Sequence, residues 1–143
     1  NDDAGKKEVI VRLKKVTPKA EKLNIVLGIE SYLSAEEHLD IIEKVGSKNV
    51  KVYYDFRNTA DAGHDVYSDV QKIGRDLICE LHMKENRVPL GEGTLDWRRI
   101  AGILKDMEYY GDGWMQIEWA KRDEEEVQTT YKKNLQFLKK LFT

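Results

Sequence analysis

The sequence predicts an α/β fold in which about four parallel strands alternate with about five helices, a parallel (β/α) half-barrel. Three observations carry that prediction. Strand-like and helix-like runs alternate with no hairpin turn signals between the strands, which implies right-handed crossovers and a parallel sheet. Each strand-like run closes on an ionisable residue, and three steps cover the 88 residues from Glu30 to Glu118, an average of about 29 against about 31 per unit in an eight-unit barrel of ~250 residues. The chain's 143 residues therefore hold about half of such a barrel. The alternative topology is a small doubly wound sheet, but no G-x-G-x-x-G follows the first strand, so its dinucleotide-binding signature is missing.

Composition narrows the classes further. With 41% hydrophobic and 35% charged residues the chain suits one soluble globular unit. A formal net charge of -2 supplies no attraction for nucleic acid or an anionic membrane, and no apolar run approaches the roughly 18 residues of a membrane span. The lone Cys79 excludes an intrachain disulfide and reads as a buried structural thiol. Residues Asn1 to Lys7 are polar and lack an initiating methionine, so they do not read as a secretory signal. The expectation is a cytoplasmic protein whose natural amino terminus lies further upstream.

The elements follow in order. Residues 7–22 carry Ile10, Leu13, Val16 or Thr17, and Ala20 at helical spacing, with Pro18 expected to kink or shorten the last turn. Residues 24–30 form a β-branched run, and Ser34 with Glu37 three residues on makes a capping box for a helix through about Val45. Residues 49–55 repeat the strand pattern, 65–75 read as a helix, and 77–83 as the third strand. After a loop containing Leu90-Gly-Glu-Gly93, Asp96 caps a helix bearing Trp97, Ile100 or Ala101, Leu104 and Met107. A fourth strand at 113–119 precedes a last helix with Val127, Tyr131, Leu135, Leu138 and Phe142 on its apolar face.

Side chains two apart on a strand share a face. Ile25, Leu27 and Ile29 thus oppose Val26, Gly28 and Glu30; Val50, Val52 and Tyr54 oppose Lys51, Tyr53 and Asp55. Leu77, Cys79, Leu81 and Met83 oppose Ile78, Glu80 and His82, and Met115, Ile117 and Trp119 oppose Trp114, Gln116 and Glu118. The mostly apolar face takes the helices. The mixed face lines the lumen and brings Glu30, Asp55, His82 and Glu118 together at the carboxyl ends of neighbouring strands, where barrels of this kind keep their chemistry. Three converging carboxylates and an imidazole repel one another unless a cation neutralises them. Oxygen-rich ligation with one nitrogen suits Mn²⁺ or Mg²⁺ better than structural zinc, with Zn²⁺ or Co²⁺ as further options.

The segments NIVLGIES (24–31), VYYDFRN (52–58), ICELHMKEN (78–86), LGEGTLDW (90–97) and MQIEW (115–119) resemble, in order, the carboxyl-terminal half of the xylose-isomerase-like TIM barrels of the sugar phosphate isomerase/epimerase type. The resemblance implies that residues 1–143 are one such half, with the amino-terminal half lying outside this sequence. It implies that Glu30, Asp55, His82 and Glu118 are the four metal ligands and that Glu30 and Glu118 are also the acid–base pair. The implied reaction is isomerisation or epimerisation of a sugar or polyol through a metal-bound enediolate. Lys84 shares the parity of His82 and is a candidate to hydrogen-bond a substrate oxygen or offset enediolate charge.

One departure stands out. Many sugar epimerases of this family have Asp-x-x-His after the sixth strand, whereas this chain has Asp55-Phe-Arg-Asn58; Asn58 can bind a hydroxyl but cannot act as acid or base. His64, in the following loop, is a second candidate substrate contact. His38 reads as a surface residue, Glu92 as loop architecture or a support behind the ligands, and Trp114, Trp119 and the Tyr109-Tyr110 pair as packing. The apurinic endonucleases share the barrel but use a histidine-rich trinuclear zinc site and bind DNA, which three histidines and a net charge of -2 argue against. Two other readings stay open: a dehydratase of the same family, and a catalytically silent half-barrel that self-associates through its exposed strand edges or pairs with the missing half.

Overall fold

The computed structural model describes residues 3–109 and 113–143. Four parallel strands, β1 (Leu27–Ile29), β2 (Val50–Asp55), β3 (Ile78–Lys84) and β4 (Met115–Glu118), pair in sequence order. Six helices accompany them: α1 (Asp3–Lys22), α2 (Ala35–Val45), α3 (Phe56–Asp61), α4 (Val66–Ile73), α5 (Trp97–Asp106) and α6 (Val127–Phe142). This is the curved parallel arrangement of a half-barrel, with every crossover made by helix.

The local signals act as their chemistry requires. Ser34 and Glu37 form a reciprocal capping box at α2, and Gly46 ends that helix at φ 74, a left-handed position that glycine adopts without a Cβ clash. Asp96 accepts hydrogen bonds from the backbone N–H of Arg98 and Arg99 at the start of α5. Pro18 does not break α1: it and Lys14 lie on the exposed side, so the carbonyl freed by the missing N–H meets water. The core lies between the sheet and α2, α4, α5 and α6. Val50, Val52, Tyr54, Leu81 and Met83 are at most 1% exposed, each contributing about 1.5–3 kcal/mol of burial. Phe56 stacks edge-on between Tyr54 (5.0 Å) and Trp97 (5.9 Å), tying the end of β2 to α5.

Several expectations are corrected. The first strand is only three residues long, and Ile25 and Val26 are exposed because they precede its pairing with β2. The predicted helix over 65–75 is shorter and is preceded by α3, a six-residue helix that Asp55 caps. At the start of β3 a bulge sets both Cys79 and Glu80 against Tyr53, because the register jumps between Val52↔Ile78 and Tyr53↔Glu80. Ile78 therefore enters the core, and the half-buried Cys79 turns toward Gly28, where a Cβ would fall 2.9 Å from its sulfur.

On α6 the buried stripe is Thr130, Asn134, Leu138 and Phe142, and Val127 and Leu135 are exposed. Asn134 sets that rotation. Its amide accepts from Leu90 N–H (3.0 Å) and donates to the Ala120 carbonyl (2.5 Å), so the helix docks by closing two loops. His38 is buried, its ring between Ser31 Oγ (2.9 Å) and the Ser34 carbonyl (3.0 Å), and burial lowers its pKa. Trp114 and Trp119 are exposed, at the two ends of the edge strand β4, whereas Tyr109 packs as expected and donates to the Trp114 carbonyl. Tyr110 lies outside the described residues.

Candidate metal centre

Each ligand candidate reaches the carboxyl-terminal rim for a local reason. Glu30 directly follows β1. Asp55 ends β2 and caps α3: its Oδ1 accepts from Arg57 N–H (2.8 Å) and Asn58 N–H (2.9 Å), which turns Oδ2 into the lumen. His82 lies in β3, in register with Asp55 on one side and Gln116 on the other, and Glu118 ends β4. One ligand atom from each of Glu30, Asp55, His82 and Glu118 lies within 4.8 Å of all the others. His82 Nδ1 stands at the hub, 3.2 Å from Glu30 Oε1, 3.5 Å from Asp55 Oδ2 and 3.6 Å from Glu118 Oε2.

The imidazole is held from two sides. Tyr53 packs against it with ring centroids 4.2 Å apart. The Gln116 amide nitrogen sits 3.3 Å from Nε2 and Glu30 Oε1 sits 3.2 Å from Nδ1, so the ring is held at both of its nitrogens. Burial, reinforced by the Glu80 carboxylate, pushes the Tyr53 hydroxyl well above its ordinary range, so it stays a neutral wall.

The predicted accessory residues divide. Lys84 enters the cluster, its ammonium 2.9 Å from Glu118 Oε2 and 3.2 Å from Asp55 Oδ2. Burial works against that charge, but Glu118 and Asp55 outweigh it and hold the lysine above its ordinary range. Asn58 is buried and bridges the cluster, donating to Glu30 Oε1 (3.3 Å) and accepting from Lys84 (3.2 Å). His64 stands apart, half-buried in the turn after α3. Glu92 is on the surface and pairs with Arg122 at 2.7 Å, tying the loop after β3 to the loop after β4.

Charge and hydrogen bonding together test whether a divalent ion fits. Asp55 Oδ2 and Glu118 Oε2 are buried without a directed hydrogen bond, although Lys84 lies close to both. Two carboxylates at about 4.8 Å repel by about 3.5 kcal/mol at an effective dielectric near 20. Lys84 offsets one of three negative charges; a 2+ ion offsets the other two and takes the two orphaned lone pairs. The residues fit a divalent ion.

Gln116 and Glu85 were not singled out from sequence. Gln116 was legible, since it shares parity with Glu118. Glu85 was not: it is fully buried behind the site, accepts from the Trp97 indole N–H at 2.8 Å, and lies under Gly93, where a Cβ would fall 2.1 Å from Oε2. Its burial, only partly countered by Trp97, raises its pKa.

Known proteins of similar sequence and shape share this fold. The family described as "Xylose isomerase-like TIM barrel" matches residues 1–141. A D-psicose 3-epimerase of Enterocloster bolteae (strain ATCC BAA-613) is 31% identical over 121 residues, covering 78% of this chain and 40% of that protein. In shape, a D-psicose 3-epimerase crystallised in the presence of D-fructose superposes with a TM-score of 0.83 at 21% identity, over 99% of this chain and 58% of that one. An L-ribulose 3-epimerase gives 0.85 at 18% identity, over 99% and 55%. The chain thus spans about half the length of these relatives.

Proposed function

Since the chain belongs to the xylose isomerase-like TIM-barrel family, we propose that it is the carboxyl-terminal half of a divalent-metal-dependent sugar epimerase or isomerase. The observation that carries this reading is the convergence of Glu30, Asp55, His82 and Glu118 to within 4.8 Å, alongside the 31% identity to a D-psicose 3-epimerase. A Mn²⁺ or Mg²⁺ ion held by those four residues would supply Lewis-acid polarisation of a ketose carbonyl and its neighbouring hydroxyl.

The chain's own groups then do the rest. Glu30 and Glu118 come from opposite edges of the sheet, the disposition an acid–base pair needs to address two faces of one carbon. One carboxylate removes the α-proton and the other, protonated, returns a proton from the opposite face, inverting the centre. Lys84, held between Asp55 and Glu118, stabilises the negative charge that develops on the enediolate. Asn58 holds Glu30 and Lys84 in fixed relation through its two amide atoms, and Gln116 orients His82. Four further β/α units of a longer polypeptide complete the barrel against the edges of β1 and β4, a reading supported by the share of each relative that the chain spans.

The test is solvent deuterium exchange. Incubation of D-fructose and D-psicose in D₂O with the full-length protein and Mn²⁺ should place deuterium at C3 of each and interconvert them. Loss of water to give an enone would instead identify a dehydratase, and absence of exchange with every ketose would refute the reading.

A further inference from the structure

Glu30 is the least anchored member of the cluster. Asp55 and Glu118 end strands and His82 lies within one, but β1 stops at Ile29, so Glu30 opens the loop to α2. Its side chain is 38% exposed, the most of the four. The Asn58 amide at 3.3 Å and His82 Nδ1 at 3.2 Å both meet its Oε1. Where this carboxylate points thus depends on how firmly loop 30–34 is held.

A buried histidine holds that loop. Leu33, Ser34 and His38 occupy the N′, N-cap and N4 positions of α2. Leu33 at N′ with an apolar residue at N4 would make an ordinary hydrophobic staple, but here N4 is a histidine, and it is only 2% exposed. Its Nδ1 lies 3.0 Å from the Ser34 carbonyl, which can only accept, so Nδ1 carries the proton and Nε2 presents a lone pair. The Ser31 hydroxyl, 2.9 Å from Nε2, therefore donates to the ring and accepts in turn from the Leu33 N–H at 3.1 Å. Ser34 carbonyl, imidazole, Ser31 hydroxyl and Leu33 amide form one directed chain that clamps the residue next to Glu30. Burial lowers the His38 pKa, so above neutral pH the ring is uncharged and Nε2 stays an acceptor.

Resting on the proposed metal and sugar chemistry, we propose that His38 is a positioning residue: through the Ser31 hydroxyl it fixes the backbone that aims Glu30 into the metal centre. An apolar staple fixes only the chain from Leu33 onward. The hydrogen-bonded form reaches two residues further back, to the neighbour of Glu30. A shift of about 1 Å at a reacting group can cost about 100-fold in rate, so a carboxylate carried on a loop needs such a clamp more than the strand-borne Asp55, His82 and Glu118 do.

The test is calorimetric titration of Mn²⁺ into the full-length protein at pH 8. His38→Leu restores an apolar staple and so keeps α2 in place, while Ser31→Ala removes only the hydroxyl. Each should weaken Mn²⁺ about 10-fold, and the double variant no more than either one. Ser31→Thr keeps the hydroxyl, and Ser31 borders a cavity of about 500 Å³ with room for the added methyl, so it should bind within about twofold of wild type. In a Glu30→Gln background Ser31→Ala should cost nothing further, because its effect runs through that carboxylate. Wild-type affinity in His38→Leu or Ser31→Ala, or a Ser31→Thr as weak as Ser31→Ala, overturns the clamp and leaves the metal reading standing. A loss that persists undiminished without the Glu30 carboxylate also overturns it, showing a general loosening of the site. If the wild-type protein binds no Mn²⁺, the metal reading and this inference fall together.

Discussion

Asp55 offers the sharpest separation of folding from function, because its two carboxylate oxygens have different tasks. Oδ1 caps α3 and Oδ2 faces the ligand cluster without a directed hydrogen bond. Asp55→Asn keeps the cap, asparagine being as good an N-cap as aspartate, and removes one of three crowded negative charges. Repulsion from Glu30 and Glu118 is at least about 3.5 kcal/mol each, their ligand atoms lying within 4.8 Å, and attraction from Lys84 at 3.2 Å is about 5 kcal/mol, at an effective dielectric near 20. Removing all three interactions favours the variant by about 2 kcal/mol, which solvent at the partly exposed Glu30 and Glu118 trims to about 1 kcal/mol.

For a chain of this size that corresponds to a rise in Tm of about 3 °C, measured by thermal unfolding at pH 8 in EDTA. Mn²⁺ at about 100 times its Kd should raise wild-type stability by about 2.7 kcal/mol and the variant's hardly at all. Asp55→Ala, lacking the cap, should melt below Asp55→Asn by an amount equivalent to about 1 kcal/mol. An Asp55→Asn protein that is less stable than wild type in EDTA yet still responds to Mn²⁺ would refute the placement of Asp55 as a ligand.

Two further outcomes concern the buried Glu85. Gly93→Ala drives a Cβ to within 2.1 Å of Glu85 Oε2, so urea unfolding should show a loss of about 2–3 kcal/mol, part of which Glu85→Ala restores in the double variant. Glu85 has a folded pKa raised by burial, so its contribution to stability is present below the ordinary carboxylate range and lost as pH rises through the raised value. Glu85→Gln, which can still accept from Trp97, should therefore be more stable than wild type at pH 8 and no more stable near pH 4. A pH-independent difference would contradict that assignment.

The site was more legible in the sequence than the packing around it. Strand alternation has a period of two and each strand is short, so the parity of Glu30, Asp55, His82 and Glu118 survives small errors in strand boundaries; the first strand proved only three residues long and Glu30 still reached the cluster. Parity failed where the backbone departs from it, at the Cys79 bulge and at the left-handed Trp119, neither of which has a local composition signal. Helix α6 was misoriented because its apolar residues describe one stripe while Asn134 defines another. The partners that bury it, Leu90 N–H and the Ala120 carbonyl, lie 44 and 14 residues away. His38 failed for the same reason, its ring being held by Ser31 in the loop beside Glu30.

The claim on which everything rests is that four strand-end residues hold one divalent ion. Calorimetric titration of Mn²⁺ into the wild-type protein and Glu118→Gln tests it directly. One ion should bind per chain, with an affinity at least tenfold lower when the carboxylate is replaced. Equal affinity in the two proteins, or an ion bound elsewhere with Glu118 irrelevant, would contradict it.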